Sequence, residues 1–184
     1  MKKVILGITG ASGSIYAVRL IEVLRRHEIE IHAVVTESGR KVLDYECGIA
    51  PEELSRRVTK IYPNGDVSAA IASGSFRMDA MVILPCSMRA AGALAHGVTG
   101  DLLTRAADVT LKEGRSLILV PRETPMHAIH LENLLRLARA GAVVMPASPG
   151  FYHRPETADD LVNMIVGKIC DRLGVEEELF SRWR

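Results

Sequence analysis

The sequence predicts a single α/β domain in which a doubly wound parallel sheet lies between two layers of helices, and three observations support that fold class. Short β-branched runs alternate along the chain with longer segments of helical periodicity. These short runs are nearly continuous in hydrophobicity, which is typical of strands covered on both faces. The 184 residues, 48% of them hydrophobic, suffice for one domain with a real core. We therefore expect a three-layer, Rossmann or flavodoxin-like sheet.

Local patterns place six strands, at residues 3–9, 30–36, 80–85, 116–120 and 142–145, with a weaker one at 59–62. Helices are predicted at residues 14–26, 38–47, 51–58, 87–95, 102–113, 127–140 and 158–173. Several helices are followed by glycine, which ends a helix at least cost, at Gly48, Gly114, Gly141 and Gly174. Residues 63–78 are rich in Gly and Ser and indicate a loop. We expect one domain over residues 1–184, with residues 175–184 as a C-terminal tail.

Composition and charge exclude several classes of function. The formal net charge is +1 and acidic and basic residues are interleaved, so the chain has no cationic face for nucleic acid. The three cysteines, Cys47, Cys86 and Cys170, are far apart and odd in number, which argues against a disulfide framework or a zinc site and favours a reducing compartment. The histidines show no metal-binding spacing. No apolar stretch approaches the roughly 20 residues that span a bilayer, so we expect a cytoplasmic protein without a membrane partner or a bound metal.

Candidate binding segments follow the strands, because ligands of such sheets bind beyond the carboxyl ends of the strands, where the strand order reverses. The first is the GITGASG turn at residues 7–13, which follows a strand and opens a helix whose N-terminus would favour phosphate. Its glycines are spaced by three and no lysine follows the last, so it is neither a dinucleotide fingerprint nor a P-loop. The alternative is a tight strand-to-helix turn without a ligand.

The second candidate is the PCSMRA turn at residues 85–90, where Ser87 would cap a helix while its hydroxyl and the following amides face the same crevice. A plain N-cap is the alternative for Ser87. Two phosphate-capable turns on adjacent strands together favour one mononucleotide site. We interpret Cys86, at the end of a buried strand, as a packing residue rather than a nucleophile.

Basic residues in two other segments are candidates for phosphate contacts. Arg122 directly follows a strand, in the PRETP segment at residues 121–125, where prolines limit backbone freedom. Arginine suits bidentate contact to phosphate. Arg105 and Lys112 are seven residues apart and share a helix face, which for an isolated pair most simply indicates a solvated surface. By pattern alone, Glu46 is an ordinary surface carboxylate.

Several motifs, in this order, resemble those of one enzyme family. They are GASG at residues 10–13 with Tyr16, ASGS at 72–75, PCSM at 85–88, LTRAAD at 103–108 with LKE at 111–113, PRETP at 121–125, PGFY at 149–152, and Arg182 with Trp183. Over its whole length the chain resembles the UbiX-type flavin prenyltransferases. These form part of a larger group of flavodoxin-like flavoproteins that includes the cysteine decarboxylases.

The resemblance implies an enzyme that joins the dimethylallyl group of dimethylallyl monophosphate to N5 and C6 of reduced FMN, giving prenylated FMN without a metal ion. It implies a flavin site made by Gly10, Ala11, Ser12, Thr36, Ser87, Met88, Arg89, Ala90 and Arg122. Many members have serine at the position of Thr36, and the hydroxyl is kept here. The resemblance implies that Tyr152 and Lys168 bind the donor phosphate, with Arg122 and Lys112 nearby. The catalytic residues it implies are Ser12, Glu46, Lys112, Arg122 and Tyr152.

These residue types suit the implied chemistry. A prenyl monophosphate must ionise without magnesium, so fixed arginine and lysine charges must stabilise the departing phosphate. Aromatic faces such as Tyr152 and Trp183 would stabilise an allylic cation by roughly 1–2 kcal/mol each. Glu46 or the retained phosphate would accept the C6 proton, with Ser12 orienting groups near N5. The resemblance also implies a dodecamer with active sites between protomers, and a UbiD-type decarboxylase that receives the product transiently.

Three other functions fit parts of the sequence. A flavin-dependent cysteine decarboxylase would share the fold, but its expected Pro-x-Met-Asn-x-x-Met-Trp segment does not occur here. A flavin carrier would need only one phosphate clamp, whereas Arg122, Tyr152 and Lys168 suggest a second. A nicotinamide enzyme would use Glu37 as its ribose-binding acid, but the glycine spacing argues against it.

Overall fold

The computed structural model describes residues 1–183 and has a six-stranded, all-parallel sheet at its centre. The strands are β1 (Lys3–Ile8), β2 (Glu30–Val35), β3 (Lys60–Pro63), β4 (Ala80–Cys86), β5 (Ser116–Pro121) and β6 (Val143–Val144). The helices are α1 (Ser14–Arg26), α2 (Glu37–Cys47), α3 (Pro51–Arg57), α4 (Met88–Ala95), α5 (Leu102–Lys112), α6 (Ala128–Arg139) and α7 (Ala158–Leu173). The strand order β3-β2-β1-β4-β5-β6 reverses between β1 and β4, which confirms the predicted doubly wound fold class.

The core is divided between the two faces of the sheet. Along β1, Val4, Leu6 and Ile8 belong to one buried cluster and Ile5 to the other, because successive side chains point to opposite faces. The first cluster packs against α1, α2, α3 and α7, and the second against α4, α5 and α6. Helices therefore cover both faces, which explains why the strands read as continuous apolar runs.

The observed elements follow the predicted ones closely. The bounds of α1 and α7 are as predicted, and the other helices differ by one residue at one or both ends. The weaker predicted strand is present as β3, whereas β6, an edge strand paired with β5 alone, has only two residues. The predicted loop at residues 63–78 contains a 3₁₀ turn, Ala70–Ala72, whose Ile71 is buried in the second cluster.

The C-terminal tail and the lengths of the helices are the last features of the fold. The predicted C-terminal tail begins directly after α7, and its residue 184 lies outside the described residues. Gly174 ends α7 in the left-handed conformation, with a φ of 67°, and so turns the tail back along that helix. Within residues 1–183, no helix combines the length and the hydropathy that crossing a bilayer would need.

Candidate active site

The carboxyl ends of β1 and β4 meet at the point where the strand order reverses, and Thr9 joins them. Its hydroxyl donates to the Pro85 carbonyl oxygen at 2.7 Å and accepts the Ser87 amide at 2.8 Å. Because Thr9 is buried, these bonds fix the turn after β4 against the turn after β1. Sequence patterns did not single out Thr9, since a threonine at the end of a strand is common.

The turn after β4 presents the N-terminus of α4 to the crevice at this edge. Ser87 is the N-cap of α4, and its Oγ accepts the Ala90 amide at 3.3 Å. Amides in the first turn of a helix have no partner within the helix, so those of Met88 and Arg89 can face an anion. The positive end of the helix dipole adds to this preference. The predicted turn at residues 85–90 therefore has the geometry that a phosphate site requires.

The N-terminus of α2 forms another wall of the crevice. Thr36 caps α2, because its Oγ1 accepts the Gly39 amide at 3.0 Å. The Ser38 Oγ lies 3.2 Å from the Thr36 Oγ1. A Cβ added at Gly10 would stand 2.5 Å from both Cβ and Oγ of Ser38. Glycine is thus required at position 10 by the packing of α2, before any ligand is considered.

The crevice between these turns has a volume of about 230 Å³. It is lined by Thr9, Thr36, Ser38, Ser87, Arg89, Ala90, Ala93, Val98, Gly100, Asp101, Leu103 and Thr104. Sequence patterns missed four of the lining residues, Ala93, Val98, Gly100 and Asp101, although Asp101 forms with Thr104 a capping box whose D-x-x-T spacing is readable in the sequence. Sites for drug-sized ligands usually exceed about 300 Å³, so a flavin would extend beyond this crevice.

Beside the crevice, the structure brings together three of the predicted catalytic residues. The Glu46 Oε2 accepts the amides of Gly13 and Ser14 at 2.9 and 2.8 Å. The Arg122 Nε donates to the Ser12 carbonyl oxygen at 3.2 Å. Partial burial would raise the pKa of the Glu46 carboxyl, but hydrogen bonds from the Ser12 side chain and the two amides, with the Arg122 charge, lower that pKa below its usual value. Glu46 is therefore an ionised carboxylate at neutral pH.

This arrangement corrects the expectation for the turn before α1. The amides of Gly13 and Ser14, at the N-terminus of α1, already hold the Glu46 carboxylate, so this helix end does not offer them to a phosphate. The sequence could not show this contact, because Glu46 belongs to α2 and reaches α1 only through tertiary packing. The N-terminus of α4 is the better anion site at the reversal point.

Two further features bear on the chemistry of this region, the thiol of Cys86 and the grouping of metal-ligating side chains. Cys86 is fully buried, and burial raises the pKa of its thiol to about 12, which supports the interpretation as a packing residue. In the described part of the chain, no three His, Cys, Asp or Glu side chains are grouped so that they could hold a metal ion.

Lys112 lies near the amino ends of the strands, whereas Arg122 lies at their carboxyl ends. The expectation that the two residues stand near each other is therefore wrong within one chain. The N-terminus of α5 is at the carboxyl edge, where the Leu102 amide bonds the Asn64 carbonyl oxygen just after β3. The helix then runs back, and Lys112 ends it shortly before β5 begins. There the Lys112 ammonium pairs with Glu113. Sequence spacing placed Lys112 on a helix but not at an end of the sheet.

Tyr152 and Lys168 form a second group, against the C-terminal tail. The Tyr152 ring contacts the Trp183 ring with 5.8 Å between centroids, and the Lys168 Nζ lies 5.7 Å from the Phe180 centroid. The expectation that these two residues and Arg122 converge on one phosphate stays a prediction.

Comparison with known proteins identifies the family. The Flavoprotein family model matches residues 1–170. A flavin prenyltransferase UbiX of Alkalihalophilus pseudofirmus is 48% identical over 97% of this chain and 94% of its own length. The chain belongs to the flavoprotein family, among the UbiX-type flavin prenyltransferases. The resemblance read from the motifs is thereby confirmed.

Solved structures of UbiX-type flavoproteins share the fold over the full chain. AnUbiX (PadA1), in complex with FMN and dimethylallyl pyrophosphate, has a TM-score of 0.97 and 37% identity, covering 100% of this chain and 97% of its own. A dodecameric, FMN-dependent UbiX-like decarboxylase of Escherichia coli O157:H7 has a TM-score of 0.96 and 40% identity, covering 99% of each chain.

Proposed function

We propose that this chain is a flavin prenyltransferase that joins the dimethylallyl group of dimethylallyl monophosphate to N5 and C6 of reduced FMN. One observation carries the proposal beyond flavin binding: Ser12, Glu46 and Arg122 are held together beside the crevice at the reversal point of the sheet. A protein that only carries flavin needs a phosphate-binding site, but it does not need a carboxylate and a guanidinium next to the flavin ring.

The flavin phosphate is assigned to the N-terminus of α4. Ser87 and the amides of Met88 and Arg89 supply donors there, and Arg89 lines the crevice. Thr36, on the wall made by α2, presents its hydroxyl to the same space. Gly10 and the residues after it form the turn against which the ring would lie. Reduced FMN itself supplies the two atoms that form the new bonds, N5 for the carbon–nitrogen bond and C6 for the carbon–carbon bond.

The donor requires cations where its phosphate departs. When the bond between the allylic carbon and the phosphate oxygen breaks, the electron pair leaves with the phosphate, and Arg122, Lys168 and Tyr152 are assigned to hold it. The allylic carbon bonds to N5, and N5 loses its proton to the departed phosphate. For ring closure, the phosphate returns a proton to the central carbon of the prenyl double bond, and the tertiary carbon bonds to C6, which then releases its own proton. Glu46 is assigned to accept that proton, because its lowered pKa keeps it ionised at neutral pH.

Assembly is part of the proposal, because one chain does not collect all the assigned residues. Lys112 is at the far edge of the sheet, and a neighbouring copy would bring it to the donor phosphate. On α6, Ile129, Leu131 and Leu135 are more than half exposed in a single chain, which suits an apolar contact between copies. We infer a dodecamer with active sites between protomers, as the dodecameric Escherichia coli relative suggests.

We expect the product, prenylated FMN, to be passed to another enzyme. Prenylated FMN is itself a cofactor, so the reaction must be followed by transfer to a partner enzyme, which we take to be a UbiD-type decarboxylase met transiently in the cytoplasm.

Incubation with reduced FMN and a dimethylallyl donor, followed by mass spectrometry of the flavin, tests the proposed function. We expect FMN carrying one five-carbon unit from the monophosphate, at a higher rate than from the diphosphate with which AnUbiX was crystallised. Arg122→Ala should lower kcat/KM by about 100-fold or more, whereas Arg105→Ala, which removes a half-buried arginine paired with Asp108, should not. If the flavin stays unmodified with both donors, a flavin carrier would be the better interpretation of this protein.

A further inference from the structure

The C-terminal tail is tied to the helices at two points. Val175 is buried, and Glu177 pairs with Arg26 at the end of α1 and with His27 just after it, at 2.6 and 2.7 Å. Further on, both Arg182 guanidinium nitrogens reach one carboxylate on α7, at 2.7 and 2.9 Å. A bidentate contact of this kind fixes the orientation of the guanidinium plane as well as its distance. The tail is therefore held along α7 by its own charges.

Between these two points, the Phe180 ring packs closely against Gly167 of α7. A Cβ added at Gly167 would stand 2.7 Å from two atoms of the Phe180 ring. The Arg182 guanidinium carbon lies 5.3 Å from the ring centroid, and the Lys168 Nζ lies 5.7 Å from it. Both cations of Lys168 and Arg182 thus lie within the roughly 6 Å at which a cation is attracted to an aromatic ring.

The same tail contacts the residues before α7. The rings of Tyr152 and Trp183 meet edge to face at 5.8 Å, and those of His153 and Phe180 at 6.3 Å. Both ring nitrogens of His153 are shielded from solvent without a partner in the described residues. The His153 ring is therefore held by packing against aromatic neighbours, and the segment that carries Tyr152 is placed by the tail.

Asp171 lies three positions after Lys168 on α7, so the two side chains share a helix face. The pKa of the Asp171 carboxyl is lowered, first by the hydrogen bonds from Arg182 and less by the nearby charges of Arg182 and Lys168. Arg182 occupies both carboxylate oxygens, and none of the ion pairs within residues 1–183 involves Lys168. Without Arg182, the Asp171 carboxylate would attract the Lys168 ammonium instead.

We propose that Arg182 is a positioning residue for the donor site: by neutralising Asp171 and holding Phe180 and the tail in place, it keeps Lys168 free and Tyr152 oriented for the donor phosphate. The inference rests on the proposed function for the identity of that phosphate. In this proposal Arg182 touches neither substrate, and it acts through its ion pair with Asp171 and its contact with the Phe180 ring. A prearranged lysine loses less side-chain freedom when the anion binds, which favours donor affinity.

The test compares KM for dimethylallyl monophosphate with the Kd of FMN in the full chain. Arg182→Ala should raise the donor KM by about fivefold to tenfold, a range set by one well-aligned ion pair, and should leave the FMN Kd unchanged. Adding Asp171→Asn to Arg182→Ala should recover part of that loss, because no carboxylate is left to capture Lys168. Arg172→Ala, which removes an arginine from the same end of α7, is the matched control.

The outcomes separate this inference from the proposed function. A parent enzyme that makes no prenylated flavin would overturn both. An active parent with an Arg182→Ala variant of unchanged donor KM, or a double variant no better than the single one, would overturn the positioning role alone. If Arg182→Ala is poorly folded, Arg182→Lys supplies the test and should give an intermediate donor KM. The fluorescence anisotropy of Trp183, the chain's one tryptophan, should fall when the tail is released. This measurement reports directly on whether the tail is held against α7.

Discussion

Glu46 serves both the fold and the site at the level of single residues. Its carboxylate closes the N-terminus of α1 by accepting two amides, and the same carboxylate stands beside Ser12 and Arg122. A carboxylate held in this way is ionised and oriented, but its lowered pKa also makes it a weaker base. The structure therefore suits a proton acceptor that works on an already acidified position, as C6 becomes when ring closure begins.

The Glu46→Gln variant separates those two roles. The amide oxygen can still accept from Gly13 and Ser14, so the fold and FMN affinity should stay close to those of the parent. Loss of the charge should slow ring closure by about 100-fold or more, and a flavin alkylated at N5 should accumulate. Rapid-quench mass spectrometry and flavin absorbance measure this. Glu37→Gln, on the exposed start of the same helix, is the control, and a Glu46→Gln enzyme closing the ring at the parent rate removes Glu46 from the mechanism.

His32 governs a different property, the dependence of stability on pH. Its ring is buried in β2 and bonds the Tyr62 hydroxyl at 2.9 Å. Burial lowers the pKa of His32, and the attraction of Glu30 only partly offsets this, while the charges of Lys3 and Lys60 add to the lowering. In the unfolded chain, by contrast, the imidazole titrates near pH 6.5. The unfolded state therefore binds more protons just below that pH.

The free energy of unfolding should fall as pH drops below about 6.5, and should level off once folded His32 is itself protonated. His32→Gln should flatten this slope in urea titrations taken between pH 7 and pH 5. His96→Gln replaces a histidine at the C-cap of α4, outside the buried positions, and should leave the slope as it is in the parent. An unchanged slope in His32→Gln would mean that other groups set the pH dependence.

At the scale of elements, the turn after β1 depends on the start of α2. Gly10→Ala would place a methyl group 2.5 Å from Ser38, so α2 must shift and move Thr36 on the crevice wall. We expect a loss of about 1–3 kcal/mol in stability, as for other overpacked sites, and weaker FMN binding. Gly65→Ala is the control, since nothing lies within 4 Å of its added Cβ.

Adding Ser38→Gly to Gly10→Ala tests the cause. Removal of the Ser38 side chain takes away the two atoms nearest to the new methyl group, so the double variant should regain stability and FMN affinity, as followed by urea unfolding and flavin fluorescence. A double variant as weak as Gly10→Ala would show that glycine serves the ligand directly rather than the packing of α2.

Much of the fold was predictable from local patterns, and the site only in part. The helices at residues 14–26 and 158–173 have their predicted bounds, because apolar periodicity and end signals are local. The turns at Gly10 and Ser87 were predictable because they follow buried strands. The contact of Glu46 with α1 and the buried role of Thr9 depend on tertiary packing. The place of Lys112 at the far edge follows from the direction of α5, which helical spacing alone does not specify.

For the whole molecule, the separation of the assigned residues predicts that activity requires assembly. Arg122 and Lys112 lie at opposite edges of the sheet in one chain, so a complete site would take Arg122 from one copy and Lys112 from another. Arg122→Ala and Lys112→Ala should each abolish most of the activity alone. Hetero-oligomers refolded from equal amounts should regain about one quarter of the parent activity, the share of sites that pair two intact surfaces.

The same mixture shows whether the inference of shared sites is wrong. If the mixed oligomers, verified by native mass spectrometry, stay as inactive as the two variants, both residues act within one chain or Lys112 has no part in the site. Mixing either variant with chains that carry Arg105→Ala, which removes a half-buried arginine paired with Asp108, controls for effects of refolding.

The central claim is that one site holds reduced FMN in the crevice and a prenyl phosphate beside it. A crystal structure of the oligomer with FMN and dimethylallyl monophosphate tests it most directly. We predict the flavin phosphate at Ser87 and Arg89, the ring next to Glu46, and the second phosphate within hydrogen-bond distance of Arg122, Tyr152 and Lys168. A second phosphate bound elsewhere, or Tyr152 and Lys168 remote from every flavin in the assembly, would contradict the account.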